Sequence, residues 1–471
     1  WKTFEKTWDV NTLLCFELRA SDLPQIAKTK LPEHYLYVKR VGPRPEEGGD
    51  APLTVDRVCG RPGEHSVRVF FALSAKGIAE LIIGIRGHVA CEIRNIRILT
   101  QHRLTMDQAL GPALLRDTGE PCEPYGLGMH LNRMPDPDYV NPMQVYTDGQ
   151  VREALRLAAE AGVQWIRVGC AFGNVMPEQG VIDHKFLKRI DFILNECARV
   201  GITPYFLTGP MGPEWATDQE WYDPTACKWK ALCPYTPEGD REYRRFLRLI
   251  GERYKGRITH WQFGNEVNSG FWHGTIEEYA RYLKLSAAIL RGIDPDNIII
   301  TSGLNGRPHY HGRNAVDDPL ARLYEAGAKD AFDSVAIHTY NTGDPTMPLY
   351  YLHEWTRVMR EHGDGDKKIW VTETGFAAAR DGDSDTTTAE SEERKARTLD
   401  IMYRTLIHHP NVDKVFWWKF RSWAPRPWIT HGLAYAEDDG EHFRTLPSYD
   451  SYKSVPKSPT RLRYKPEVFG Y

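Results

Sequence analysis

The chain has 471 residues, of which 60 are Lys or Arg and 63 are Asp or Glu, so its formal net charge is −3. This length favours two domains, and the 41% of apolar residues is enough to bury a sizeable core. The near-neutral charge argues against an electrostatic nucleic-acid binder, because such proteins are usually basic.

The cysteines and apolar segments exclude further classes of protein. Eight cysteines are scattered without a Cys-x-x-Cys pair, which argues against a zinc module or a disulfide-dense scaffold. Cys227 and Cys233 could form a bridge, but free thiols fit the sequence equally well. No apolar segment approaches transmembrane length, so we expect no membrane span. Because the chain starts at Trp1 rather than Met, a removed leader is compatible with it, and we expect a secreted or periplasmic location, with a cytoplasmic one as the alternative.

Residues 1–104 are predicted to be all-β. Short β-prone runs at 13–18, 35–38, 66–73, 79–85 and 89–99 are separated by Gly, Pro and Asp, and no helix-length periodic segment interrupts them. Residues 91–99 alternate apolar and polar side chains, as a strand with one buried face does. We therefore predict a β-sandwich, which resembles the jelly-roll modules that bind carbohydrate or brace a neighbouring domain.

From Tyr125 the pattern changes to strands that alternate with amphipathic helices, which is typical of a parallel sheet. We assign residues 105–124 to a linker, 125–455 to this second domain and 456–471 to a C-terminal tail. Eight strand candidates fall within the second domain, at 126–131, 163–169, 202–207, 258–264, 298–302, 334–339, 368–372 and 412–420.

The helices between these strands have recognisable ends. Asp183 is a candidate N-cap for a helix that ends at Gly201, and Thr275 opens a capping-box sequence with Glu278. Eight strand–helix units of this combined length predict a (β/α)8 barrel. A doubly wound open sheet is the alternative, but it would normally bring a glycine-rich phosphate loop, and the sequence has none.

Two of the strand candidates end in a glutamate. Glu266 closes the fourth candidate and Glu373 closes the seventh, each beside a glycine-bearing loop. Parallel barrels carry their reacting groups at this end of the strands, so both carboxylates are expected at one mouth. Such a pair is what cleavage of a glycosidic bond requires. Aromatic-rich or acidic loops at 208–238, 377–389 and 421–428 follow the third, seventh and eighth strands and would surround the same mouth.

At these residues the chain resembles the clan A retaining glycoside hydrolases, (β/α)8 enzymes whose two catalytic glutamates end strands 4 and 7. The motif Gly264-Asn-Glu266 and the pair Thr372-Glu373 carry the resemblance, which extends over residues 125–455. Within the clan, the motifs that start at Trp165, Pro177, Asp333 and Val415 look most like family 39 and its relatives. Phe172 and Met176 depart from that pattern, because a Trp and a Glu are common there.

The resemblance implies a role for each residue. Glu373 would be the nucleophile, and Glu266 would be the general acid and then the base that activates water. Arg167 would pair with Glu373, Tyr340 would donate its hydroxyl to the same carboxylate, and Asn265 would bind the sugar 2-hydroxyl. The full set of residues expected to bind substrate is Asn265, Arg167, His338, Tyr340, Trp418, His130 and Trp221.

Several alternatives stay open at this point. Arg167 could belong to a structural ion pair, and Tyr340 and His338 could be buried polar side chains with no contact to substrate. Trp417 competes with Trp418 for the inward position, since adjacent strand residues face opposite ways. His309 and His311 could suggest a metal, but they follow the fifth strand without helpful carboxylates, so we expect neither a metal nor a cofactor.

The sequence thus predicts a cofactor-free retaining glycoside hydrolase that acts on β-type bonds of an oligo- or polysaccharide. A transglycosylase with the same glutamate pair and a non-catalytic carbohydrate-binding barrel are the alternatives.

Overall fold

The computed structural model describes six strands between residues 12 and 100, and then residues 110–133, 145–209, 211–222, 230–269, 271–305, 319–340, 347–378, 387–422, 430–437 and 439–465. Trp1, Cys227, His309 and His311 lie outside these segments, as do parts of the loops at 208–238, 377–389 and 421–428.

The N-terminal strands form two antiparallel sheets. They are β1 (Thr12–Ala20), β2 (Tyr35–Val41), β3 (Pro52–Val58), β4 (Ser66–Ala72), β5 (Glu80–Arg86) and β6 (Cys91–Thr100). The strand order is β4-β1-β6 in one three-stranded sheet and β3-β2-β5 in the other. Both sheets are antiparallel throughout. The strand β3 has no counterpart among the runs predicted from the sequence.

A closed parallel barrel follows, as predicted. The strand β7 (Leu115–Pro121) precedes the barrel in the chain. The first seven barrel strands are β8 (Tyr125–Gly128), β9 (Trp165–Gly169), β10 (Thr203–Thr208), β11 (His260–Phe263), β12 (Ile298–Ile300), β14 (Ser334–Tyr340) and β15 (Lys368–Gly375). The two-residue strand β13 (Leu304–Asn305) pairs with β14. The eighth, β16 (Val412–Trp417), pairs with β8, and β12 pairs with β14, so the barrel is closed. The open-sheet alternative is therefore wrong.

The helices of the described segments begin and end largely where local sequence signals place them. They are α1 (Asp148–Glu160), α2 (Phe172–Val175), α3 (His184–Val200), α4 (Pro237–Arg253), α5 (Ile276–Ile293), α6 (Pro319–Glu325), α7 (Met347–Glu361), α8 (Ala389–Ile407) and α9 (Pro447–Ser454). Asp183 caps α3 by accepting from Phe186 N–H at 2.9 Å, and α3 ends at Gly201 with φ of 73°. Thr275 caps α5 through Glu278 N–H at 3.1 Å. Both helix starts were predicted from the sequence.

Large aromatic side chains fill the lower interior of the barrel. Trp165, Tyr205, Trp370 and Phe416 pack together there, with ring centroids 5.1–5.9 Å apart. Gly126 makes room for them, because a Cβ at this position would lie 2.3 Å from Phe416. This plug closes the barrel from below, and residues one layer further along the strands line the mouth.

Segments on either side of the barrel domain pair with each other. Thr460–Tyr464, here β19, runs antiparallel to β7, and a two-stranded sheet of β17 (Ala434–Ala436) and β18 (Phe443–Thr445) lies between the eighth barrel strand and α9 in the chain. Arg461 ties β19 to the start of β16 through Val412 O at 2.9 Å and Asp413 Oδ1 at 2.6 Å. The residues assigned to linker and tail thus contribute paired strands, and the domain limits stay a prediction. No helix of the described segments is long and apolar enough to cross a membrane.

Candidate active site

A β-bulge turns Glu373 into the barrel mouth. Trp370 of β15 lies in the interior plug, and the Thr372 hydroxyl accepts a hydrogen bond from Gln262 Nε2 across the interior at 3.1 Å. Both side chains therefore point inward. Regular alternation would then point Glu373 outward. The register between β14 and β15 instead shifts by one residue, so that His338 pairs with Glu373. A bulge of this kind re-aims a side chain, and here both residues face the mouth.

The Glu373 carboxylate has two strong donors. Arg167 from β9 donates to its Oε1, and the Tyr340 hydroxyl from the end of β14 donates to its Oε2. Burial raises the pKa of Glu373, but the His338 ring, the Arg167 guanidinium and the Tyr340 hydroxyl outweigh burial and hold the pKa below its ordinary value. Burial and the adjacent Glu373 raise the pKa of Tyr340, so its hydroxyl keeps the proton that it donates. Glu373 is thereby kept ionised.

Glu266 follows β11 in a strained backbone conformation. Its φ is 45°, in the left-handed region that L-residues other than Asn and Asp rarely adopt. Gly264, two residues earlier, has φ of 88°. The Glu266 N–H donates to Gly303 O at 2.8 Å, and this bond ties the turn to the end of the neighbouring strand. The Ser269 hydroxyl lies 3.3 Å from Glu266 Oε2. Strain of this size, about 1–3 kcal/mol, persists where the surroundings over-determine the conformation.

The two glutamates converge at the mouth. One carboxylate oxygen of Glu266, one of Glu373 and one ring nitrogen of His338 all lie within 4.8 Å of one another. Both carboxylates are mostly buried, with 8% of each residue exposed. In retaining glycosidases the two carboxyl groups are about 5–5.5 Å apart, whereas inverting enzymes keep them about 6.5–9.5 Å apart to admit a water. Two oxygens within 4.8 Å of each other are closer to the shorter of these separations than to the longer one.

His338 stands between the two carboxylates. Its Nδ1 lies 2.9 Å from Glu266 Oε1 and 3.6 Å from Glu373 Oε2. The residue is 1% exposed. Its other edge packs against Gly303, where an added Cβ would lie 2.0 Å from Nε2. The ring is therefore held in place from behind while Nδ1 faces both acids.

Asn265 is fixed by the same arginine that pairs with Glu373. Arg167 donates its second terminal nitrogen to Asn265 Oδ1 at 2.8 Å. This bond sets the orientation of the amide and leaves its N–H donors unused by the described residues. Amide donors are thus placed beside the Glu373 carboxylate, where they face the barrel mouth.

The eighth strand resolves the choice between two tryptophans. Trp417 is fully buried in the outer core, and its Nε1 donates to His431 O at 2.6 Å. Trp418 is half-buried and stands edge-on to Tyr340 with ring centroids 5.7 Å apart. The side chain beside the glutamate pair is thus Trp418. Lys419 follows it, 4.6 Å from the Trp418 ring, and burial with the charges of Arg133 and Arg421 lowers the Lys419 pKa to about 5.

The two remaining candidates have different environments. His130, just beyond the first barrel strand, is the other non-glycine residue with a left-handed backbone among the described segments, at φ of 55°. Burial, Lys419, Arg133 and Arg167 lower the pKa of His130 well below its ordinary value, so the ring is neutral. Trp221 is half-buried in a short 3-10 turn between β10 and α4. No contact among the described residues ties Trp221 to either glutamate.

Glu266, His338 and Glu373 are also the group of side chains in the described segments that could hold a metal ion. The donor set argues against that use. Glu373 already accepts from Arg167 and Tyr340 on both oxygens, and a cation there would be repelled by the guanidinium. The arrangement fits a proton-transferring and nucleophilic pair better than a metal centre.

Three residues at the site were not identified from the sequence. Ser269 contacts Glu266, Gly303 supports His338, and His431 packs against Trp418. Gly303 directly follows the strand range predicted at 298–302, which is a signal that could have marked it. His431 lies beyond the eighth strand without a motif, and only its contacts identify it.

Comparison with known proteins gives a likeness of fold. The sequence matches no family model and no curated protein. Among solved structures, the chain is 18% identical to a family 39 glycoside hydrolase from the gut symbiont Bacteroides cellulosilyticus WH2, with a TM-score of 0.52 over 92% of this chain and 80% of that one.

Two further structures have comparable TM-scores over a smaller share of this chain. An exo-β-1,4-mannosidase from Opitutaceae bacterium strain TAV5 is 16% identical, with a TM-score of 0.51 over 72% of this chain and 60% of that one. A family 5 subfamily 18 protein from Streptomyces cattleya in complex with GlcNAc is 15% identical, with a TM-score of 0.50 over 71% of this chain and 80% of that one. The predicted resemblance to the clan A glycoside hydrolase barrels is confirmed for the fold.

Proposed function

We propose that this protein is a retaining glycoside hydrolase that cleaves β-type bonds in an oligo- or polysaccharide with Glu373 and Glu266. The observation that carries the proposal is the convergence of these two strand-end carboxylates to within 4.8 Å, with different hydrogen-bond partners on each. The shared barrel fold supports it.

Glu373 acts as the nucleophile. Arg167 and the Tyr340 hydroxyl hold its carboxylate ionised and oriented, so that an oxygen attacks the anomeric carbon as the bond to the leaving oxygen breaks. This step forms a glycosyl ester on Glu373.

Glu266 transfers the proton. In the first step its carboxyl group protonates the departing glycosidic oxygen, and in the second step the resulting carboxylate takes a proton from the water that attacks the ester. His338 and Ser269 contact the two oxygens of Glu266 and fix the plane of the carboxyl group. Asn265 contributes amide N–H donors to the sugar 2-hydroxyl, and Trp418 provides an apolar face for the ring.

The first experiment compares Glu373→Gln with wild type on a panel of aryl glycosides and polysaccharides. We expect kcat to fall by at least about 1000-fold, because loss of one member of a concerted catalytic set removes most of the rate enhancement. Glu393→Gln, at an exposed position of α8, is the matched control and should keep wild-type kcat. Equal activity of the Glu373 variant and the control would refute the assignment.

The second experiment distinguishes the two roles. With Glu266→Ala, azide should restore cleavage of an aryl glycoside with a good leaving group and give a glycosyl azide of the same anomeric configuration as the substrate. With Glu373→Ala, azide should give the inverted product, because it then replaces the nucleophile. Exchange of these two stereochemical results would reverse the assignment. Chromatography of the wild-type products separates hydrolysis from transfer to a second sugar.

A further inference from the structure

His431 lies in the turn at residues 430–433, beyond the eighth barrel strand, and faces the aromatic wall of the site. Its ring stands edge-on to Trp418, with centroids 4.8 Å apart at 85°, and to Tyr340, with centroids 5.7 Å apart at 76°. The ring also covers Gly375, two residues after Glu373, where an added Cβ would lie 2.9 Å from His431 Cδ2. One imidazole thus touches three elements that surround the nucleophile.

The turn that carries His431 is anchored from α8. Lys395 is fully buried and donates to Gly432 O at 2.7 Å and to Thr430 O at 3.2 Å, on either side of His431. Glu392 balances its charge, with Oε2 at 2.7 Å from Lys395 Nζ. The His431 carbonyl accepts from Trp417 at 2.6 Å. Three consecutive backbone carbonyls are therefore fixed, which leaves the ring little freedom to move.

The His431 ring is neutral. Burial, with the charges of Lys395 and Lys419, lowers the pKa of His431 to about 3. Its Nδ1 is buried and has no hydrogen-bond partner among the described residues. The ring is accordingly held by packing and acts on its neighbours as an aromatic edge.

We propose that His431 is a positioning residue, which wedges the Trp418 and Tyr340 rings in place and so keeps the Tyr340 hydroxyl on Glu373. The positioning of Tyr340 is a structural property and does not depend on the proposed function. Its importance for catalysis rests on the proposed role of Glu373 as the nucleophile. Tyr340 sits at the last position of β14 and is half-buried. Without the wedge its ring gains room to swing away from the carboxylate.

The test measures the titration of the Glu373 carboxyl carbon by NMR in full-length protein labelled with ¹³C-glutamate, with Glu373→Gln to assign the signal. We expect Tyr340→Phe to raise the midpoint by about one pH unit or more, because it removes a hydrogen bond to the ionised form. His431→Ala should raise the midpoint by a part of that shift, and His431→Phe, which keeps a flat ring, should leave it unchanged.

A double variant decides between positioning and a general loss of packing. In a Tyr340→Phe background, His431→Ala should cause no further shift, because the hydroxyl through which it acts is absent. His431→Leu, which keeps the volume and loses the ring, replaces His431→Ala if the latter does not fold. The proposal is overturned if the folded single variant titrates as wild type does, or if the shift persists in the double variant.

Measurements of activity test the positioning role of His431 and the proposed function separately. If wild type cleaves a glycoside, the acid limb of kcat/KM in His431→Ala should move to higher pH together with the NMR midpoint. If wild type cleaves none of the glycosides tested while the NMR cycle behaves as expected, the proposed function fails and the positioning role of His431 stands.

Discussion

Gly303→Ala should damage the site by a single methyl group. The added Cβ would lie 2.0 Å from His338 Nε2, 2.6 Å from Cδ2 and 2.9 Å from Cε1. The ring cannot retreat freely, because it is 1% exposed and its Nδ1 lies between the two glutamates. Gly303 also accepts the Glu266 N–H, so movement of its backbone would displace Glu266 as well.

The size of the effect follows from that overlap. Restoring an ordinary contact of at least 3.4 Å from an overlap at 2.0 Å requires the added Cβ and the imidazole to separate by 1.4 Å or more. A misplacement of only about 1 Å can already lower kcat by about 100-fold. Overpacking of a tight interior costs about 1–3 kcal/mol of unfolding free energy. We therefore expect kcat to fall by about two orders of magnitude with a modest loss of stability.

The assay is kcat on the best aryl glycoside of the panel, with denaturant unfolding in parallel. Gly292→Ala is the matched control: it lies near the end of α5 with no atom within 4 Å of an added Cβ, so it should keep wild-type kcat and gain about 0.5–1 kcal/mol. In a His338→Ala background, Gly303→Ala should lower kcat no further. Wild-type kcat in Gly303→Ala, or an undiminished effect in the double variant, would refute the reasoning.

Three further predictions concern charge and packing. Arg167→Met removes a cation that lowers the Glu373 pKa, so the acid limb of kcat/KM should move to higher pH by about 1–3 units in a pH–rate profile. Lys414 and Arg461 lower the pKa of Asp413 below its ordinary value of 3.8 despite burial. The Asp413 carboxylate therefore stabilises the fold fully above pH 3.8, and this stabilisation is lost as the pH falls through the lower pKa of the folded state. The difference in Tm between wild type and Asp413→Asn should shrink below about pH 4. Gly126→Ala should cost about 1–3 kcal/mol in denaturant unfolding, because the methyl group would meet Phe416 in the barrel plug, and Phe416→Leu should recover part of it.

Local signals were enough to predict the barrel. Each of the eight barrel strands overlaps its predicted range, and the Asp183 and Thr275 caps form as expected. Hydrophobic period and capping depend on residues that are near each other in the chain, so a single sequence contains them. The strand β3 was missed because a run with Pro52 at its start and charged residues within it lacks a clear apolar pattern.

The candidate site could be predicted in part. The sequence named both glutamates and three residues that lie beside them, Arg167, Asn265 and Tyr340. The catalytic roles of these residues are what the resemblance implies. The sequence did not identify Ser269, which contacts Glu266 from only three residues away, or His431, whose contact with Tyr340 joins separate parts of the chain. Trp221 stays a prediction, since no described contact ties it to the pair.

The sequence by itself determined the alternation of strands and helices, and with it the end of the barrel at which Glu266 and Glu373 lie. Only the tertiary structure decided that both carboxylates face the mouth. The bulge that turns Glu373 inward and the left-handed backbone of Glu266 arise from pairing with neighbouring strand ends. Those pairings join residues distant in the chain, and no local pattern encodes a one-residue shift between strands.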